Sequence, residues 1–92
     1  MAHAREVEHY EGQLAPLAEA VGQLAYDQLA AFLGYLAKEL ADQSEADVGR
    51  GRQRLSHEIG EAQGLLQFVI AHVDEAWRIS APHMTPEERG ET

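Results

Sequence analysis

A regular spacing of apolar residues in the second half of the chain constrains the fold more than any other feature. From residue 55 onward, apolar and small side chains recur at alternating steps of four and three, the a/d pattern of a helix packed along another helix. These positions are Leu55, Ile59, Ala62, Leu66, Val69, Val73, Ala76 and Ser80. The spacing predicts a long helix over 52–81, which ends because Pro82 disfavours helical geometry in the preceding residue.

Residues 13–46 follow the helical period as well and predict a first long helix. A rotation of ~100° per residue gathers its large apolar side chains on one wide face. They are Leu14, Leu17, Val21, Leu24, Ala25, Leu29, Phe32, Leu33, Leu36 and Leu40. The back of this predicted helix carries Glu19, Gln23, Asp27 and Lys38, with Ala20, Ala30, Ala37 and Ala41 between them.

Two long helices separated by a short break predict an all-α antiparallel hairpin in a single domain, 1–92. Residues 47–51 interrupt the helical pattern, while 1–12 and 82–92 flank it. Each helix has an apolar face wider than one neighbour covers. We therefore expect two chains to pair as a homodimer and form a four-helix bundle.

The composition favours the same association. Hydrophobic residues make up 45% of the 92 positions, but fifteen of them are alanine, which leaves twenty-six larger side chains for a core. A chain of this length buries a smaller fraction of its surface than a larger domain does. It contains no cysteine, so neither a disulfide nor a Cys-based metal site supplements that core.

A formal charge of −9 restricts the partners that the chain can have. Binding to nucleic acid depends on Lys and Arg that neutralise phosphates, so the acidity argues against that partner. Glu6, Glu8 and Glu11 occupy the N-terminal region where a signal peptide needs an apolar run, and no stretch is as apolar as a membrane span. We expect a cytoplasmic protein that binds itself, or another protein, and no membrane.

Four carboxylates form the group of residues that most strongly indicates a chemical function. Glu39 and Asp42 lie before the predicted turn, and Glu58 and Glu61 lie after it, so antiparallel packing predicts both pairs at a similar height. Glu39, Glu58 and Glu61 fall within the apolar arcs, where a charge needs a partner or a metal. Carboxylates converging between helices suit Mg²⁺ or Mn²⁺.

The two acidic pairs resemble those of the all-α nucleotide pyrophosphohydrolases of the MazG type. That family carries Glu-x-x-Glu and Glu-x-x-Asp pairs on successive helices; this chain has Glu39-Leu-Ala-Asp42 and Glu58-Ile-Gly-Glu61, with the acid types in the opposite order. The resemblance covers about residues 36–73. It implies that the four carboxylates hold Mg²⁺ against a nucleoside triphosphate, which a metal-activated water cleaves between the α and β phosphates.

Each of these residue patterns also has a purely structural interpretation. Glu58 and Glu61 lie in the first turns of the second helix, where carboxylates favour the helix dipole. Arg50, Arg52 and Arg54 are expected either to neutralise nearby acidic residues or to bind a phosphate. Gly60 and Gly64 indicate close approach by another segment, because glycine inside a helix costs ~1 kcal/mol relative to alanine.

Among the histidines, the Glu6-x-x-His9 spacing lacks the second motif that a di-iron bundle needs. His72 lies in a second seam of the second helix, where we expect either a partly buried histidine hydrogen-bonded to a neighbour or a place at a dimer interface. The chain has neither a glycine-rich phosphate loop nor a nucleophile motif. The leading hypothesis is a non-enzymatic interaction or regulatory module without a cofactor; the pyrophosphohydrolase is the alternative.

Overall fold

A computed structural model describes residues 3–91 and contains three α-helices and no strand within that range. The helices are α1 (Leu14–Gly22), α2 (Tyr26–Gly49) and α3 (Gln53–Ser80), and a short 3₁₀ helix (Ala81–His83) follows α3. The predicted all-α fold class is confirmed. The predicted 52–81 helix agrees closely with α3, whereas the single 13–46 helix is replaced by α1 and α2.

The break between α1 and α2 occupies residues 23–25. The N–H of Gln23 still donates to the carbonyls of Glu19 and Ala20, but Ala25 adopts an extended conformation with φ −53° and ψ 146°. Gly22 ends α1, and glycine is a weak helix former that often lies at helix C-termini. Asp27 then lies in the first turn of α2, where its carboxylate favours the positive end of the helix.

Helices α2 and α3 pack against each other, and the residues that the contact buries most completely are small. Ala30 and Ala37 are 7% and 1% exposed, and they are the buried hydrophobic residues of the described chain. At the other end of the contact, Ser56 is buried and a Cβ built on Gly60 would lie 3.3 Å from Ser44 Oγ. Two of the alanines assigned to the back of the first helix, Ala30 and Ala37, are therefore buried, whereas Ala20 is exposed.

The contact face of α3 is rotated relative to the predicted a/d seam. Leu55 and Val69, two members of that seam, are exposed. The adjacent Ser56 and Ile70 are buried and half-buried instead. The predicted seam is thus only partly covered, since Ile59, Leu66 and Val73 are half-buried while Leu55 and Val69 are exposed.

The connection between α2 and α3 is organised by one buried carboxylate. Asp47 is 6% exposed, and its Oδ1 lies 3.7 Å from Arg50 and 3.8 Å from Arg52 guanidinium nitrogens. The N–H of Arg52 donates to the Asp47 carbonyl at 2.8 Å, and Gly51 adopts a φ of +75° that glycine tolerates without strain. Two of the three clustered arginines therefore pair with an acid of their own turn.

The C-terminal segment folds into a single turn after α3. The Thr85 N–H donates to Glu88 Oε1, and the Glu88 N–H donates to Thr85 Oγ1, which is a capping box. The Arg89 guanidinium donates to the carbonyls of Ala81 and Met84 at the end of the preceding helix. These bonds tie residues 85–91 to the end of α3.

The described chain is elongated. Its extents are 51 × 30 × 21 Å and its radius of gyration is 16.3 Å, whereas a compact chain of this length has a radius of about 12 Å. Most large apolar side chains are consequently not enclosed: within the described residues, no side chain larger than alanine is fully buried. A single copy has helices but hardly any core.

Candidate interaction surface

Large apolar side chains are exposed on the outer sides of both long helices. On α2, Phe32 and Leu36 are 44% and 42% exposed. On α3, Leu65 and Phe68 reach 65% and 69%. Further exposed side chains are Leu14, Leu24, Tyr26, Tyr35, Val48, Leu55, Val69 and Ile79. Scattered apolar residues are normal on a surface, but this many on one small chain make it a candidate interaction surface.

Most of the exposed apolar residues lie in the parts of the sequence that carry almost no charge. Glu19 and Asp27 are the only Asp, Glu, Lys or Arg residues in 12–37, and 62–73 contains none. Charge depletion is typical of the core of a protein–protein interface. This pattern is visible in the sequence and would have located the surface without a structure.

A groove between α1 and α2 is the most apolar cavity of this surface. Its volume is about 420 Å³. Leu14, Leu17 and Val21 line it from α1, and Leu29 and Phe32 line it from α2. Helix α1 makes few contacts with the other helices and contains no buried residue, so the groove is open along its length.

The four carboxylates predicted as metal ligands are all exposed and lie in different surroundings. Glu39 and Asp42 line one cavity of about 310 Å³ beside Arg50, whereas Glu58 lines a different one. Glu61 Oε1 lies 4.0 Å from His57 Nε2. Among residues 3–91, no three His, Asp or Glu side chains form a group that could hold a metal ion.

Asp42 has a different partner in the structure. Lys38 Nζ lies 2.9 Å from its Oδ2, one turn earlier on α2. The hydrogen bond and the charge of this carboxylate raise the pKa of Lys38 above its usual range. Both side chains are mostly solvated, so the pair contributes little to stability.

The histidines singled out by the sequence lie at the surface. His72 is exposed on α3, in the uncharged stretch and next to the apolar side chains described above. His9 is exposed in the N-terminal segment, with a φ of 64° and its Nε2 3.5 Å from Glu8. His72 thus belongs to the candidate interaction surface, while His9 does not.

Comparisons of the chain with protein families, with characterised proteins and with solved structures gave no match. A separate search of the helices within residues 3–91 found none that is long and apolar enough to cross a bilayer.

Proposed function

We propose that this protein is a non-enzymatic helical module that acts as a homodimer. In this proposal, α2 and α3 form an antiparallel hairpin, and two hairpins associate through their exposed apolar faces into a four-helix bundle. One observation carries the proposal: the buried hydrophobic residues of the described chain are the small side chains of Ala30 and Ala37, while many large apolar side chains are exposed. That division is expected of a hairpin whose main hydrophobic contact is with another chain.

Helical geometry supports a single apolar face. On α2, Leu36 precedes the buried Ala37 by one residue; on α3, Leu55 and Val69 precede Ser56 and Ile70 in the same way. One residue is a rotation of ~100°, in the same sense on both helices. In two antiparallel helices, equal rotations away from the contact bring side chains to the same side of the pair.

The surface area supports association. The chain exposes 7449 Å², roughly 2,100 Å² more than a compact monomer of 10.2 kDa is expected to expose. A standard interface buries about 800 Å² on each partner. The excess is therefore large enough for a stable dimer.

The distribution of charge favours a second copy as the partner. Two copies together carry a formal charge of −18, twice the −9 of one chain, which repels them where acids meet. The uncharged stretches 12–37 (apart from Glu19 and Asp27) and 62–73 allow the surfaces to meet with few like charges opposed. The same surface would gain nothing from a strongly basic partner.

A matched pair of substitutions on α3 tests the proposal. Val69→Arg places a charge on the exposed apolar face, whereas Gln67→Arg adds the same charge ~200° around the helix. Since an unpaired charge buried in an interface costs several kcal/mol, Val69→Arg should raise the dimer dissociation constant by ~100-fold or more. Gln67→Arg should change it little.

Sedimentation equilibrium gives the readout. The unmodified chain should have a mass near twice 10.2 kDa at micromolar concentration. A chain that stays at 10.2 kDa throughout the accessible concentration range would refute the homodimer. Equal effects of the two arginine substitutions would place the interface elsewhere.

The alternative proposal is a divalent-metal-dependent nucleoside triphosphate pyrophosphohydrolase that uses Glu39, Asp42, Glu58 and Glu61. The shared cavity of Glu39 and Asp42, with Arg50 and Arg52 beside them, supports one half of such a site. Mg²⁺ or Mn²⁺ held by carboxylates would supply the activated water. The separate location of Glu58 leaves the leading proposal better supported.

Pyrophosphate release decides between the two functions. The alternative predicts Mg²⁺-dependent release from nucleoside triphosphates that Glu58→Gln abolishes, while Glu87→Gln in the exposed C-terminal turn leaves it unchanged. The leading proposal predicts no release with Mg²⁺ or Mn²⁺ from a panel of canonical and modified triphosphates.

A further inference from the structure

The groove between α1 and α2 needs an occupant that the chain itself does not supply. Residues of α1 and α2 line it, and no residue of α3 takes part. Leu14, at its α1 edge, is 62% exposed, and Phe32, at its α2 edge, is 44% exposed. An open apolar groove of this kind leaves both of its walls in water.

Helix α1 also needs support that one copy does not provide. It has nine residues, while isolated helices shorter than about 12–15 residues are marginal in water. The N-cap residue Gln13, which precedes the helix, makes no side-chain hydrogen bond to it, and the first turn contains no acidic residue. Helix α1 must therefore be stabilised mainly by packing its apolar side against another segment.

Two exposed side chains on α3, Leu65 and Phe68, form an apolar ridge that matches the groove in chemistry. Leu65 and Phe68 are one turn apart and are 65% and 69% exposed. They lie within 62–73, which carries no Asp, Glu, Lys or Arg, and the groove is bordered by a single acid of α1, Glu19. Groove and ridge thus meet without burying a charge.

We propose that the α1–α2 groove of each copy receives the Leu65–Phe68 ridge of a second copy. The inference rests on the homodimer proposed above and specifies its contact. In a two-fold dimer the exchange is reciprocal, because every contact from one copy to the other occurs twice. Both grooves and both ridges are covered by one arrangement, and α1 becomes part of the interface instead of an unsupported arm.

The surface area that the chain exposes beyond that of a compact monomer favours a second copy as the occupant of the groove. The roughly 2,100 Å² by which the chain exceeds a compact monomer is more than the about 800 Å² that one standard interface covers. A contact between the α2–α3 faces alone would leave α1 and its groove exposed. Reciprocal docking of ridge into groove covers this additional surface with the same partner.

Cysteine cross-linking tests the contact directly, since the full chain has no cysteine of its own. The Leu17→Cys and Phe68→Cys variants are prepared separately, one of them with a mass tag, then mixed and oxidised mildly. Each chain carries one thiol, so any disulfide joins two copies. The control replaces Phe68→Cys with Gln67→Cys, on the adjacent exposed residue that points to another side of α3.

The mixed disulfide between positions 17 and 68 should form roughly tenfold or more faster than that between 17 and 67, because a disulfide requires Cα atoms about 4.4–6.8 Å apart. Circular dichroism before oxidation verifies that each variant keeps its helices. Equal rates in a chain that sediments as a dimer would overturn the groove contact and leave the homodimer standing. A monomeric chain would overturn both.

Discussion

Two serines join α2 to α3 through their side chains and their carbonyls. Ser56 Oγ donates to the Ser44 carbonyl at 2.7 Å, Ser44 Oγ donates to the Ser56 carbonyl at 2.8 Å, and the two hydroxyls lie 3.0 Å apart. Small side chains permit this approach, and the hydroxyls satisfy polar groups that the contact removes from water. A helical wheel treats both serines as ordinary polar positions, so the sequence does not reveal the contact.

Ser56→Ala should destabilise the protein by about 1 kcal/mol. The substitution removes a partly buried hydrogen bond that joins α3 to the Ser44 carbonyl of α2. Urea denaturation measures the change. His57→Ala, at the exposed neighbouring position, is the control and should stay within about 0.5 kcal/mol of the unmodified protein. Equal losses would show that the serine contact contributes nothing.

At the scale of the helices, periodicity predicted the existence and ends of α3 but not its orientation. The uncharged middle of α3 is apolar around much of its circumference, so more than one seam fits the sequence. Ser56 and Gly60 decide between them, because α2 approaches closely only where α3 is small. The break at 23–25 was missed because alanines and leucines continue the helical pattern across Gly22.

The two glycines inside α3 should respond differently to alanine. A Cβ on Gly64 meets no atom within 4 Å, so Gly64→Ala should stabilise the helix by ~1 kcal/mol. A Cβ on Gly60 would lie 3.3 Å from Ser44 Oγ, which is fixed by its bonds to Ser56. Gly60→Ala should therefore lose most of that gain or destabilise the protein.

Thermal denaturation of both glycine variants, at one protein concentration, provides the measurement. Equal stabilisation by the two alanines would mean that α2 does not approach α3 closely at Gly60.

The C-terminal turn should be sensitive to acid. The Thr85 N–H bonds to the Glu88 carboxylate and, with the Thr85 hydroxyl, lowers the pKa of Glu88. Because the pKa of Glu88 is lower in the folded turn, its ionised carboxylate stabilises the turn at a pH above the usual pKa of Glu. This stabilisation is lost as the pH falls below about 4. The Thr85 amide resonance, followed by NMR, should titrate in that acid range.

Glu88→Gln is the matched control for the acid response, because glutamine also completes a capping box but does not titrate. In this variant the Thr85 amide resonance should lose its acid transition. An unchanged transition would assign the acid response to another group.

At the scale of the whole molecule, the sequence predicted an acidic helical chain with too little core for one copy. The elongated shape and the exposed apolar residues agree with that expectation. The carboxylate site was harder to predict, because a wheel places Glu39 and Glu58 in apolar arcs without showing whether those arcs are covered. Glu39 and Glu58 are exposed in the structure, so burial does not oblige these charges to have a partner.

Sodium chloride should strengthen the homodimer. Each copy carries a formal charge of −9, and repulsion between the copies is screened as the Debye length falls from about 10 Å at 0.1 M salt to about 3 Å at 1 M. Sedimentation across this range should show a dissociation constant that decreases several-fold. A constant that increases with salt would indicate an interface held by ion pairs, contrary to the apolar contact proposed.

The alanine and serine contact between α2 and α3 has a consequence for the lifetime of newly made chains. Ala30 and Ala37 offer little apolar area, so a copy that has not met another gains little from folding. If the chain folds as the proposed homodimer, folding is second order in chain concentration, and a solitary copy remains open to proteases until it meets another. We expect the protein to accumulate only above a threshold rate of synthesis.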